Sequence, residues 1–129
     1  MAVSYEATFP SSPPGVGAMR REVAAFAKHA GMDDDGVGSV RLAVSEAATN
    51  AVVHAYRDGQ GDLGVRAYID GDELVVVVRD TGRGLAPRPD SPGLGLGMPL
   101  MASVTSSFRV VSEGAGTEIH MAFALPHDA

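Results

Sequence analysis

Three polar residues recur at four-residue intervals in an otherwise apolar stretch: Glu46, Asn50 and His54. If this stretch is helical, residues four apart share one face, so the three side chains form a stripe. The stripe either faces solvent or lines a cleft. In a cleft, the Asn50 carbonyl oxygen suits Mg²⁺, which prefers hard oxygen ligands. Glu46, one turn earlier, can accept a proton from an attacking hydroxyl or water.

A second set of candidates follows a strand-like run of valines, in residues 80–84. Alone, this segment is typical of a turn. A carboxylate such as Asp80 at a strand end can also accept a hydrogen bond from the exocyclic amine of adenine. Gly82 and Gly84 then allow the backbone to bend closely beneath a flat base. Thr117, which opens the last predicted strand, is either an ordinary β residue or a further polar contact at the base edge.

A third candidate is the run that contains Gly93, Gly95 and Gly97, just before a short predicted helix. Backbone N–H groups of such a loop can bind an anion, and the start of the helix adds partial positive charge. Glycine loops are common, so this one carries little weight alone. The proline-containing segment 87–92 separates it from the preceding strand, unlike the dinucleotide fingerprint. No Gly-Lys-Ser/Thr ending follows, which excludes a P-loop.

Size and charge limit the classes of function. We expect one domain over residues 1–129, because 129 residues lie inside the usual size range of a single domain. The formal net charge of −6 argues against direct nucleic-acid binding, which needs clustered Lys and Arg. It is compatible with a single bound nucleotide. The absence of cysteine excludes disulfides and thiolate chemistry.

The sequence also predicts a cytoplasmic location without a membrane segment. The first residues lack a basic stretch followed by an apolar run, as a signal peptide would have. The longest strongly apolar run, residues 74–78, is far too short to span a bilayer.

The elements that position these residues follow from hydrophobic spacing and from turn residues. Strands are predicted at 5–9, 63–69, 74–79, 108–112 and 117–125, and helices at 16–30, 37–57 and 98–104. Asp70-Gly71 predicts a hairpin between the second and third strands. The continuous valines of the third strand predict burial on both of its faces. This order predicts an α+β fold, a two-layer sandwich with a mostly antiparallel sheet and helices on one face.

The order of these motifs resembles a known family. It is similar to the ATP-binding domain shared by gyrase B, Hsp90, the histidine kinases and MutL, with the Bergerat-type fold. Within that superfamily the chain most resembles the bacterial anti-sigma factor serine/threonine-protein kinases of partner-switching systems. The resemblance extends from the first strand to the last.

The resemblance implies a role for each candidate residue, with ATP held between the sheet and a lid at about residues 85–98. Glu46 is then the general base and Asn50 the Mg²⁺ ligand. The resemblance implies an adenine-binding role for Asp80, Gly82, Gly84 and Thr117. It implies a phosphate-binding role for Gly93, Gly95 and Gly97. His54 either points towards the phosphates or simply packs.

The resemblance also implies partners: a sigma factor, a STAS-domain anti-sigma factor antagonist that is phosphorylated, and a second copy of the chain in a homodimer.

One departure from the family pattern is that residues 98–103 contain no basic residue, where many relatives have one. Phosphoryl transfer usually needs such a cation, and Arg83 or Arg88 are the candidates. Two alternatives therefore stay open: a nucleotide-gated module that sequesters the sigma factor without phosphoryl transfer, and a regulatory domain that binds no nucleotide.

Overall fold

Two helices cover one face of a five-stranded antiparallel sheet, as the sequence predicts. The computed structural model describes residues 4–51, 61–80, 102–113 and 116–126. In chain order the elements are β1 (Ser4–Pro10), α1 (Pro13–His29), α2 (Asp34–Asn50), β2 (Asp62–Asp70), β3 (Glu73–Asp80), β4 (Ser107–Glu113) and β5 (Gly116–Ala124). The strand order is β1-β2-β3-β5-β4, so β3 lies at the centre.

Helix α1 begins three residues earlier than predicted. Ser12 is its N-cap, and the side chain accepts a hydrogen bond from the Gly15 N–H at 3.3 Å. Pro13 and Pro14 occupy the first helical positions, where a missing N–H costs nothing and a fixed φ suits the helix. The segment between the predicted strand and the predicted helix therefore starts the helix. Gly31, with φ of 102°, ends α1 as predicted.

Helix α2 also begins early, at Asp34 rather than at residue 37. Asp33 is the N-cap and accepts a hydrogen bond from the Gly36 N–H at 2.8 Å. Asp34 and Asp35 follow in the first turn, where negative charge complements the helix dipole. The predicted end at residue 57 lies outside the described residues.

The core forms between the helices and the inner face of the sheet. Leu74, Val76 and Val78 of β3 point towards the helices and have no exposed surface. Val77 points to the opposite face, yet it is only 2% exposed, because β2 and β5 flank it. The predicted burial of β3 on both faces is confirmed for this part of the strand. The predicted hairpin is confirmed as well, with φ of 63° at Gly71.

The last two strands pair antiparallel, as predicted, but β5 lies between β3 and β4. Of the predicted short helix at 98–104, the structure describes residues 102–104, and these are helical. In the described ranges, no helix has the length and apolar character needed to cross a bilayer.

Two glycines of the helices allow a direct test of these local assignments. Gly38 lies in α2 with open space where a Cβ would be, so Gly38→Ala should raise the free energy of unfolding by about 0.5–1 kcal/mol. A Cβ at Gly15 would lie 1.9 Å from the Pro10 carbonyl oxygen, so Gly15→Ala should lower the free energy of unfolding by about 1–3 kcal/mol. Urea unfolding of both variants measures the difference, and a destabilising Gly38→Ala would contradict the helix assignment.

Candidate functional site

Asp80 and Thr117 lie side by side at one end of the sheet. They are cross-strand partners in β3 and β5, and the same row continues through Leu63 of β2 to Phe9 of β1. Asp80 is fully buried and Thr117 is 1% exposed. A buried carboxylate requires polar partners, and each of these two side chains has at least one interacting group. The pairing therefore provides a buried acceptor at the sheet end, as the adenine hypothesis needs.

Asn50 and Glu46 occupy the last two turns of α2 and differ in burial. Asn50 is 6% exposed, and its Nδ2 has no hydrogen-bond partner within the described residues. Because Asn50 is buried, the solvent-facing interpretation of the stripe does not hold for it. Glu46 is half-buried and, within the same residues, its carboxylate forms neither a hydrogen bond nor an ion pair. Such a carboxylate is able to accept a proton.

Asn50 lies at the same end of the sandwich as Asp80. Helix α1 begins directly after β1, next to the row that contains Asp80. Its first turns share a depression of about 220 Å³ with Thr49, which precedes Asn50. Helix α2 also packs against β3 and β5, the two strands that carry Asp80 and Thr117. The described part of the site is therefore a buried amide and a buried carboxylate at one end, with a half-buried carboxylate one turn away from the amide.

The remaining candidates lie outside the described residues. These are His54, Gly82, Gly84, Gly93, Gly95 and Gly97, together with Arg83 and Arg88.

Arg20 of α1 contacts the helix that carries Glu46 and Asn50, a contact that we did not predict from the sequence. Its Nη1 donates to Ser45 Oγ at 3.4 Å, and Ser45 directly precedes Glu46. The Ser45 hydroxyl in turn donates to the Arg41 carbonyl oxygen at 2.7 Å. Since Gly17 has no side chain, the guanidinium groups of Arg20 and Arg21 extend over it. The short connection between the helices was the available signal, because it forces antiparallel packing and brings the middle of α1 opposite the middle of α2.

Ser11 is a second buried polar residue that the motifs did not indicate. It follows β1 directly, is 3% exposed, and its Oγ has no hydrogen-bond partner among the described residues. Its backbone N–H donates to the Gly61 carbonyl oxygen at 3.0 Å. Nothing in the sequence distinguishes Ser11 from Ser12, the serine that caps α1.

The residues present fit a magnesium–nucleotide complex better than a metal site made of protein alone. In the described ranges, no three His, Asp or Glu side chains converge as a metal cluster would require. Mg²⁺ commonly binds one or two protein oxygens together with phosphates and water. A single buried amide such as Asn50 matches that need, and a buried acceptor such as Asp80 matches the amine of a base.

Comparison with known proteins identifies the family. Residues 9–123 match the model of the histidine kinase-like ATPase domain. An anti-sigma F factor of Clostridium acetobutylicum is 36% identical over 123 residues, covering 84% of this chain and 86% of the relative. A serine-protein kinase RsbW of Bacillus velezensis is 33% identical over 133 residues, covering 90% and 83%.

A solved structure supports the same fold. The structure of the RsbU and RsbW domains of a Mycobacterium tuberculosis protein superposes with a TM-score of 0.78 at 21% identity. The match covers 99% of this chain and 34% of that one, so this chain spans about a third of the larger protein. The resemblance seen in the sequence is confirmed, and the chain belongs to the histidine kinase-like ATPase family.

Proposed function

We propose that this chain is an ATP-dependent protein serine/threonine kinase that also binds a sigma factor. Its substrate is a Ser or Thr hydroxyl of a STAS-domain anti-sigma factor antagonist. The observation that carries the proposal is the buried Asn50 at the same end of the sandwich as the buried Asp80–Thr117 pair. Relatives named anti-sigma F factor and serine-protein kinase RsbW support this proposal.

In this proposal the sheet end binds the base. Asp80 accepts a hydrogen bond from the exocyclic amine, and Thr117 provides a polar contact beside it. Because both residues are almost fully buried, water does not compete for these hydrogen bonds. Guanine would present a carbonyl oxygen to Asp80, and two acceptors cannot form a hydrogen bond with each other. The site therefore prefers adenine, which presents an amine.

Asn50 and Glu46 act at the phosphate end. Asn50 holds Mg²⁺ through its carbonyl oxygen, and the ion neutralises charge on the phosphates. Glu46 accepts the proton of the attacking hydroxyl. It is half-buried, so a side chain of a protein partner can reach it while part of the carboxylate is shielded from water. Proton acceptance by such a positioned base contributes about 10²- to 10⁴-fold in rate.

Arg20 supplies the positive charge that residues 98–103 lack. Its contact with Ser45 holds the guanidinium next to the turn that carries Glu46. A fixed cation near the transferred group stabilises the charge that develops in the transition state.

We further propose a cytoplasmic homodimer in which each copy is one domain.

The alternative function is sequestration of the sigma factor by a nucleotide-gated module without phosphoryl transfer. The absence of a basic residue at 98–103 favours that alternative. The phosphorylation assay described below for Glu46→Gln distinguishes the two functions.

Asn50→Ala should weaken the binding of Mg-ATP at least about tenfold, because it removes the proposed metal ligand. The free energy of unfolding should fall by less than about 1 kcal/mol. The reason is that the buried Nδ2 donor of Asn50 has no hydrogen-bond partner among the described residues, so its removal also removes an unfavourable contribution. Calorimetric titration with Mg-ATP measures the affinity. Binding of AMP without Mg²⁺ is the control, which Asn50→Ala should leave unchanged and Asp80→Asn should weaken. Equal Mg-ATP affinity in Asn50→Ala and wild type would refute the metal assignment.

Glu46→Gln should lower the rate of antagonist phosphorylation by about 10²-fold or more, because the amide cannot accept the proton. Its affinity for Mg-ATP should stay within about threefold of wild type. Radiolabelled ATP and purified STAS-domain partners provide the assay. If sigma binding persists but no partner is labelled even by wild type, the sequestration function holds instead.

Arg20→Ala should reduce phosphoryl transfer at saturating ATP by at least about tenfold. Arg21→Ala is the matched control, because Arg21 is exposed and has no contact with Ser45. An equal loss of rate in both variants would show that the effect is general surface charge rather than the position of Arg20.

A further inference from the structure

The buried polar side chains of the described ranges all lie at one end of the sandwich. They belong to Ser11, Asn50, Asp80 and Thr117. Asp80 ends β3, Thr117 lies at the start of β5, Asn50 ends α2, and Ser11 lies between β1 and α1. The remaining buried side chains in those ranges are hydrophobic. Three of the four polar residues have a place in the proposed nucleotide site, and Ser11 is the fourth.

Backbone hydrogen bonds fix Ser11 at the corner between β1 and α1. Its N–H donates to the Gly61 carbonyl oxygen at 3.0 Å, which extends the pairing of β1 with β2 by one residue. The Ser12 N–H donates to the Pro10 carbonyl oxygen at 2.9 Å, so Ser11 is the middle residue of a three-residue turn. The Ser12 carbonyl oxygen in turn accepts the Val16 N–H at 2.9 Å. The position of Ser11 is therefore set by the fold and not by a ligand.

The Ser11 hydroxyl is buried, yet it has no hydrogen-bond partner within the ranges that the structure describes. Two more exposed serines of those ranges do have one. Ser45 Oγ donates to the Arg41 carbonyl oxygen, and Ser106 Oγ donates to the Glu73 carboxylate. A buried hydroxyl without a hydrogen bond is unfavourable, so such a group usually contacts a ligand or an ordered water. Ser11 therefore needs a polar partner at this end of the sandwich.

Ser11 lies on the same side of the sheet as Asp80. Side chains alternate along a strand, so Ser11 follows Phe9 on the side that meets the helices. Phe9 belongs to the row that continues through Leu63 to Asp80. Strand β2 alone separates β1 from β3, so the two strand axes are ~10 Å apart, twice the usual spacing. This separation suits a ligand that reaches from the end of β3 towards β1.

The helices bring Asn50 towards the same corner. A depression of about 220 Å³ is lined by Pro13 and Val16, in the first turn of α1, and by Thr49, which precedes Asn50. Since Ser11 comes two residues before Pro13, the corner and the end of α2 are neighbours. The Asn50 Nδ2, like the Ser11 hydroxyl, has no partner among the described residues. One polar ligand at this end can satisfy both groups.

We propose that the Ser11 hydroxyl binds the ribose of the nucleotide and selects ribonucleotides over deoxyribonucleotides. This inference rests on the proposed nucleotide site. In that site Asp80 binds the base and Asn50 the metal-bound phosphates, and the sugar is the part that joins them. Ribose hydroxyls donate and accept hydrogen bonds, as the serine hydroxyl does. Ser11 is thus a specificity-determining residue of that site.

Burial makes the contact selective. Because the Ser11 hydroxyl is already shielded from water, it gives up no hydrogen bond to solvent when the sugar binds. A nucleotide without the matching ribose hydroxyl leaves this group unmatched in the complex. Sites that hydrogen-bond a substrate hydroxyl discriminate against analogues that lack it. For one neutral hydrogen bond we expect a difference in affinity of about fivefold or more.

Calorimetric titration with the magnesium complexes of ATP, 2′-deoxy-ATP and 3′-deoxy-ATP tests the inference. Wild type should bind at least one of the two deoxynucleotides about fivefold or more weakly than ATP. Ser11→Ala should bind ATP and that deoxynucleotide with affinities within about twofold of each other, because the variant loses affinity for ATP alone. The readout is the ratio of two dissociation constants, which a general change in the fold would not alter.

Ser12→Ala is the matched control from the neighbouring position. It removes the N-cap of α1 and should lower the midpoint of urea unfolding, but it should keep the wild-type ratio. Ser11→Ala without nucleotide should not lower that midpoint, because the hydroxyl has no partner among the described residues. A lowered midpoint in Ser11→Ala would show that the hydroxyl serves the fold, and it would overturn the proposal.

Two results of the titrations would also overturn it. Wild type that binds ATP and both deoxynucleotides equally has no sugar selection, and a Ser11→Ala variant with the wild-type ratio selects the sugar through another residue. Either result leaves the proposed ATP binding and the phosphorylation assay untouched. Wild type that binds no Mg-ATP would refute the proposed function and this inference together. Sugar selection that depends on Ser11, without phosphorylation of any partner, would refute the kinase alone.

Discussion

Burial of the Asp80 carboxylate at the end of the central strand is the constraint on which the described site depends. An ionised group without exposed surface is costly unless polar groups surround it. The fold provides a setting for it by inserting β5 between β3 and β4, which makes Thr117 the direct neighbour of Asp80. A different strand order would separate these two residues and leave the carboxylate beside apolar neighbours. The acceptor proposed for a base is therefore a product of sheet topology.

Small side chains on α2 bring the second half of the site to the same place. Ala43, Ala47, Ala48 and Ala51 have no exposed surface, so the helix lies close to the sheet along its last turns. Asn50 is carried inward by this close packing, and Glu46, one turn earlier, stays half-buried. Larger residues at the alanine positions would lift the helix and expose Asn50. The burial of Asn50 is thus consistent with the small side chains on either side of it, Ala47, Ala48 and Ala51.

Local rules predicted most of the elements, while long-range packing decided the remainder. Hydrophobic patterning located all five strands, and the Asp70-Gly71 hairpin followed from turn chemistry. The early start of α1 was missed because prolines directly after a strand are typical of the end of a strand as well as of the first turn of a helix. Spacing along one helix could group Glu46 with Asn50, but it could not predict that Arg20 contacts Ser45. That contact depends on how the two helices pack, for which the short connection between them was the available signal.

The two faces of β3 separate two kinds of chemistry on one strand. Val78 and Asp80 point towards the helices and the proposed nucleotide, whereas Val77 and Arg79 point to the opposite face of the sheet. Residues that are adjacent in sequence therefore lie on opposite faces of the sheet, and only the backbone of β3 separates the two surfaces. Coupling between the two faces of the sheet would therefore act through movement or ordering of β3, the strand that both surfaces share.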